Sequence, residues 1–210
     1  MDSIPCYVGG IDIETKGVES DAFILSIGAA MFETRSLRLL DRIEYIMAPD
    51  DMAQKSRTSS PGTLKWWGMA GRGNSYPSLE ARDVCWSGRD TLPHALDMLD
   101  EFLASFTTDR GGPIITMKGP DFDYNIVRHA YCENGWKRTA LRPSLLDSAR
   151  TTERLRIAAG IPKLDISHLA DRLPRGKIIE HTAVCDAAIE GYENAFMYRL
   201  MQRVGKEIAL

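Results

Sequence analysis

Cysteine is scarce: Cys6, Cys85, Cys132 and Cys185 stand far apart in the 210 residues, and no Cys-x-x-Cys occurs. That excludes a zinc ribbon and a thioredoxin-like dithiol and leaves free thiols in a reducing compartment as the expectation. No apolar run approaches the ~18 residues needed to cross a bilayer, so no membrane partner is expected. The opening MDSIPCYVGGIDIE lacks a basic segment followed by a long apolar one, does not read as a secretion signal, and suggests a cytoplasmic setting. Excess positive charge is missing too. A formal net charge of −3 excludes a protein that coats nucleic acid by bulk electrostatics. It leaves room for one that grips a short strand end, because cations bound to its carboxylates would reverse the local sign. Internal repeats, low-complexity tracts and linkers are absent. With 44% hydrophobic and 26% charged residues, the chain has the balance of a globular protein. Its length suits one domain that buries roughly 70% of its extended surface.

What is present begins as sheet. Residues 7–13, 23–32 and 42–47 are apolar and β-branched, with a turn at Gly17 and residues 19–21, which predicts a three-stranded meander. The Gly9-Gly10 pair inside the first strand suggests a flexible or bulged start. Residues 48–90 are mixed, with loops at 56–62 and 71–78. Pro61 followed by TLKWWGM opens a short helix that turns Leu64, Trp67 and Trp66 inward. Thr91 suits the N-cap of a helix in which Leu92, Leu96, Leu99, Leu103 and Phe106 recur at the helical period. A strand at 113–117, a helix at 121–134 stopped by Gly135, a strand at 141–146 and a helix at 147–159 follow. Residues 160–180 are short apolar pieces broken by Pro162, Pro174 and Gly176. A last helix from about Thr182 to Val204 packs along Val184, Ala188, Tyr192, Ala195, Phe196 and Leu200. Strands interleaved with helices predict one α/β domain.

Three acidic groups carry possible chemistry. Asp12 and Glu14 lie two apart at the end of the first strand, so their carboxylates point to one face while Ile13 packs behind. Like charges held that close repel unless a hard divalent cation sits between them; a solvent-facing strand end is the alternative. In Lys118-Gly119-Pro120-Asp121-Phe122-Asp123 a strand meets a helix, where Asp121 and Asp123 either cap the helix or turn a carboxylate toward the strand ends. In His181-Thr182-Ala183-Val184-Cys185-Asp186, Thr182 can cap the last helix and Asp186 lies just past its first turn. His181 sits on the entering segment, and its ring can take a proton near neutral pH. A surface histidine and an ordinary helix aspartate are the alternative. His94, His129 and His168 lack ligand spacing, and Trp66 and Trp67 fit either core packing or stacking on a terminal base.

Taken together, the three groups resemble the DnaQ-like family of 3′–5′ exonucleases, in the Asp-Glu-Asp-Asp branch with an accompanying histidine. Asp12 and Glu14 match its first motif, with Leu25-Ser26-Ile27-Gly28-Ala29 as the following strand. Asp123 after Phe122 matches the second, and His181 with Asp186 the third. A closer likeness is to phage- and prophage-encoded members, through Thr63-Leu64-Lys65-Trp66-Trp67, the turn at 119–123 and Leu146-Asp147. The likeness spans about residues 7–200. It implies a ribonuclease H-like fold, a mixed five-stranded sheet flanked by helices, in one domain over residues 1–210. It also implies hydrolysis of single-stranded DNA or RNA from a free 3′ end, releasing nucleoside 5′-monophosphates. Two Mg²⁺ or Mn²⁺ ions would be held by Asp12, Glu14, Asp123 and Asp186, with His181 taking the proton of the attacking water, and a homodimer is a further expectation. Lys118 stands where the family often has asparagine, so that contact differs. An endonuclease or strand-transfer enzyme on the same fold, or a non-enzymatic nucleic-acid-binding protein, are the rival readings. No short motif separates RNA from DNA, since that choice rests on contacts to the 2′-hydroxyl.

Overall fold

The computed structural model describes residues 4–69, 77–109 and 111–208, so most of the loop expected at 71–78 lies outside the described residues. The alternating apolar pattern of the first segment forms three antiparallel strands, β1 (Tyr7–Thr15), β2 (Ile24–Glu33) and β3 (Arg38–Ile46). Two short strands, β4 (Ile114–Met117) and β5 (Leu146–Ser148), extend the sheet in parallel on the other side of β1, for the order β3-β2-β1-β4-β5. Helices α1 (Pro61–Trp66), α2 (Leu79–Cys85), α3 (Leu92–Ser105), α4 (Asp123–Glu133), α5 (Ala149–Ala158) and α6 (Ala183–Ile208) flank it. This is the mixed five-stranded, ribonuclease H-like α/β arrangement expected. Among the described residues no helix is long and apolar enough to cross a membrane.

Period-two alternation sends the strands' side chains to two unlike layers. Ile11, Ile13, Ile27, Ala29 and Met31 join Leu92, Leu96, Leu99 and Leu103 of α3 and Ile126 and Val127 of α4 in the main core. Each buried large aliphatic there contributes about 1.5–3 kcal/mol. On the opposite face Val8, Ala30 and Phe32 meet Val184, Cys185, Ala188 and Ala195 of α6.

Gly10 and Gly28 let α6 lie directly on that second face. A Cβ on Gly10 would stand 1.9 Å from the Ala187 carbonyl oxygen, and one on Gly28 would stand 2.1 Å from the Val184 nitrogen. Gly191 of α6 returns the contact against Gly10. The Gly9-Gly10 pair is therefore regular strand rather than the flexible or bulged start expected, and the register shift of β1 comes later, between Glu14 and Thr15. Close approach of a helix, not a bend, demands Gly10 and Gly28, whereas a Cβ on Gly9 would stand 2.7 Å from the Ala30 carbonyl oxygen of β2.

Other boundaries moved for local reasons. The strand expected at 141–146 is a 3-10 turn, Pro143–Leu145, followed by β5, because Pro143 has no N–H to give a ladder. Helix α2 was invisible to periodicity: of its seven residues only Ala81 and Cys85 are buried, and Ser78 caps it by accepting from the Ala81 amide at 3.0 Å. Thr91 occupies the N-cap of α3 without a hydroxyl bond; the Asp51 carboxylate accepts from the Leu92 amide instead, at 2.8 Å. Phe122, not Asp121 or Asp123, is the N-cap residue of α4, and it makes no side-chain cap bond. Behind α6, Asn194 donates to Thr116 Oγ1 (2.8 Å) and to Asp147 Oδ2 (2.9 Å), and Tyr198 donates to the same carboxylate (2.9 Å), tying β4 and β5 to the helix.

Candidate active site

Even-numbered residues of β1 face α6, which places Asp12 and Glu14 beyond Gly10 on the side where α6 lies closest. The first turn of α6 brings Asp186 to them, and the start of α4 brings Asp123. Asp12, Glu14 and Asp123 are all buried. Ligand atoms of Glu14, His181 and Asp186 lie within 4.8 Å of one another. Of the five residues singled out in the sequence, the structure thus brings Glu14, His181 and Asp186 within ligand distance, and Asp12 and Asp123 near enough to act on the other acids electrostatically.

Burial pushes the Asp12 carboxyl well above its ordinary range, and Glu14, Asp123, Glu190 and Asp186 add to the push. Glu14 is raised in the same way, by burial and then by Asp186 and Asp123, with Lys118 opposing. Asp186 is raised by burial, against the pull of Lys118 and His181. Asp123 is pushed up to about 6 by burial, although the Gly119 amide, donating to Oδ2 at 3.4 Å, works the other way. Two unit charges 4 Å apart at an effective dielectric of 20 repel by about 4 kcal/mol. A group of buried acids of this kind calls for cations.

His181 has a left-handed backbone, φ +63°, which costs a non-glycine residue about 1 kcal/mol. Its own amide donates to the Asp186 carboxylate, at 3.4 and 3.3 Å to the two oxygens, and helps hold that conformation. The half-exposed ring places Nδ1 3.9 Å from Asp186 Oδ2, and the Trp66 ring meets it edge-on at 5.2 Å. Trp67, by contrast, is core: it is buried and its Nε1 donates to the Thr15 carbonyl at 2.9 Å. His94 packs against Tyr45, His168 against Tyr192, and His129 lies beside Glu133; His181 is the histidine that joins Glu14 and Asp186.

The sequence reading missed Glu190. It is buried one helical turn beyond Asp186, pushed up to about 8 by burial and by Asp123 and Asp186, with Lys118 opposing. An acid at i+4 from Asp186 on the packed side of α6 was the available signal. Burial works against the charge of Lys118, but Glu190, Asp186, Asp12 and Glu14 outweigh it and hold its ammonium pKa above the usual value. Lys118, Arg150, Lys163, His181, Asp186 and Glu190 line an open groove beside the acids.

The clustered donors are carboxylates with the His181 imidazole beside them, an oxygen-rich set that fits a hard divalent cation. The nearby buried thiols do not compete for that role. Burial raises the pKa of both Cys85 and Cys185, and a protonated thiol is a poor ligand.

In fold the protein is similar to the nuclease domain of 3′hExo, a DEDDh family member bound to rAMP, at a TM-score of 0.53 and 14% identity over 97% of this chain and 95% of that one. It is likewise similar to a 3′-exonuclease in a structure of histone mRNA stem-loop 3′-end recognition (TM-score 0.51, 15% identity, 96% of this chain and 84% of that one). Escherichia coli exonuclease I in complex with a dT13 oligonucleotide is a third, at a TM-score of 0.55 and 15% identity over 93% of this chain and 41% of that one. No curated protein matches the chain in sequence. The fold is shared with these nucleases, and the sequence profile of one family matches residues 10–190. The chain belongs to that family, the Rv2179c-like 3′–5′ exoribonuclease domains.

Proposed function

We propose that this protein is a divalent-metal-dependent 3′–5′ exonuclease that releases nucleoside 5′-monophosphates from single-stranded RNA. The observation that carries the reading is the convergence of Asp12, Glu14, Asp123 and Asp186 beside His181 at the edge of an open groove. The family's exoribonuclease description, the rAMP of the 3′hExo domain and the mRNA stem-loop of its relative support RNA over DNA.

Asp12, Glu14 and Asp186 would hold one ion, and Asp12 with Asp123 the second. When bound, such a pair supplies Lewis-acid stabilisation to the charge gathering on the phosphate during in-line displacement. The chain's own side chains do the rest. His181 accepts a proton from water as the water oxygen bonds to the terminal phosphorus. The bond from phosphorus to the 3′ oxygen of the preceding nucleotide breaks, and that oxygen leaves with the electron pair. Trp66 limits the swing of the imidazole, while Lys118, Arg150 and Lys163 offer positive charge to the strand along the groove.

A 5′-labelled RNA with Mg²⁺ or Mn²⁺ tests this. The expected result is a ladder shortening from the 3′ end, with 5′-monophosphates as product and no reaction under a chelator. Cuts in a circular single strand would replace the reading with an endonuclease, and equal turnover of a matched DNA strand would remove the RNA preference. Narrower proposals follow the sequence likeness: a single domain over residues 1–210, a homodimer measurable by light scattering, and a phage or prophage origin testable from neighbouring genes.

A further inference from the structure

Both carboxylate oxygens of Glu190 are buried and have no hydrogen-bond partner. Two buried acids away from the acidic cluster are satisfied, by contrast. Glu44 accepts two bonds from Arg175, at 2.9 and 2.8 Å, and Asp51 accepts from the Leu92 and Ala53 amides. Among the described residues the nearest cation to Glu190 is Lys118, whose Nζ is 4.0 Å from Oε1, beyond hydrogen-bond reach, and whose side chain is 59% exposed against 8% for Glu190. A solvated ammonium at that distance leaves both oxygens open. A protonated Glu190 would still need an acceptor for its O–H, and none is in place.

Position says which way the group works. Glu190 follows Asp186 by four residues, so the two carboxylates stand on one side of α6. Gly191, its neighbour, rests on Gly10 two residues before Asp12, which sets Glu190 against the Asp12 end of β1. Asp123 and Asp186 act on it electrostatically, and it acts on Asp12. The structure assigns Glu190 as a fifth carboxylate of the metal centre, a ligand for the second divalent ion, the one shared by Asp12 and Asp123. This rests on the proposed function. It adds to that reading by giving the second ion a buried anionic donor beyond Asp12 and Asp123.

Calorimetric titration of Mn²⁺ into the metal-free full chain decides the matter, with Glu190→Gln as the near-isosteric variant. The wild-type protein is expected to take up two ions. In the variant the weaker of the two sites should lose about tenfold or more in affinity, while the tighter changes less than about twofold. Unchanged affinity at both sites would overturn the assignment and leave the exonuclease reading standing. No uptake of Mn²⁺ by the wild-type protein would bring down both. Should Glu190→Gln fail to fold, Glu190→Asp keeps the charge and withdraws it by one methylene. It should weaken the same site by a smaller factor, and an unaltered site would again refute the claim.

Discussion

On one side of the sheet β1 presents Ile11 and Ile13 to the leucines of α3, and on the other the same strand presents Gly10, Asp12 and Glu14 to α6. The first face has large apolar side chains and no charge. The second brings backbones nearly into contact and crowds unpaired acids. A nine-residue strand thus divides two tasks between alternate positions. The apolar layer stabilises the fold, and that stability tolerates like charges placed where only cations relieve them. Small residues on the second face are as necessary as the acids, because each missing side chain lets α6 carry Asp186 nearer to Asp12.

Four tests separate the two faces, from the largest expected effect on activity to the smallest. Asp12→Ala should lower RNA hydrolysis by about 10³-fold or more, with its circular dichroism spectrum and melting temperature at or above wild type, because removing one buried acid relieves repulsion. His181→Ala should lower turnover by about 10²–10⁴-fold and leave Mn²⁺ affinity nearly unchanged; a lost metal site in calorimetry would reassign the ring as a ligand.

Third, Gly28→Ala should destabilise the fold by about 3 kcal/mol or more, since its Cβ meets backbone rather than a yielding side chain. Leu96→Ala on the opposite face should cost a similar 2–5 kcal/mol through a cavity. Denaturant melts measure both. The difference should appear in metal titrations, where Gly28→Ala weakens Mn²⁺ binding and Leu96→Ala does not.

The last test is the pH response, which should move activity least. Asp123 and Glu190 titrate near 6 and 8 in the folded metal-free protein, above ordinary values of 3.8 and 4.5. The folded state therefore holds protons that the unfolded chain has released. That stabilisation is complete below about pH 4 and is lost as pH rises through 6 and then 8. Mn²⁺ at a hundred times its Kd should restore about 2.7 kcal/mol and flatten or reverse the slope. A metal-free protein equally stable at both ends of that range would contradict the crowding of charge.

Most of the apolar face was legible in the sequence, because long periodic runs such as Leu92–Leu103 declare a buried stripe. The acids of the candidate site were legible only together: the strand period pairs Asp12 with Glu14, but Asp123, His181 and Asp186 stood out through the resemblance of the three motifs in order, since each alone reads equally as a cap or a surface group. Glu190 was not, since an isolated glutamate in a helix reads as solvated until the partner strand is known. The glycines were misread for the same reason. Gly10 looks like a flexible point in one dimension and is a contact surface in three. Helix α2 and the brief β5 offered too few residues for any period to show.

Crystals of the protein soaked with Mn²⁺ and a nucleoside 5′-monophosphate, read by anomalous scattering, test the central claim most directly. The account predicts two manganese peaks in the hollow bounded by Asp12, Glu14, Asp123 and Asp186, both within bonding distance of Asp12. Manganese bound elsewhere on the surface, with none at Asp12, would contradict it.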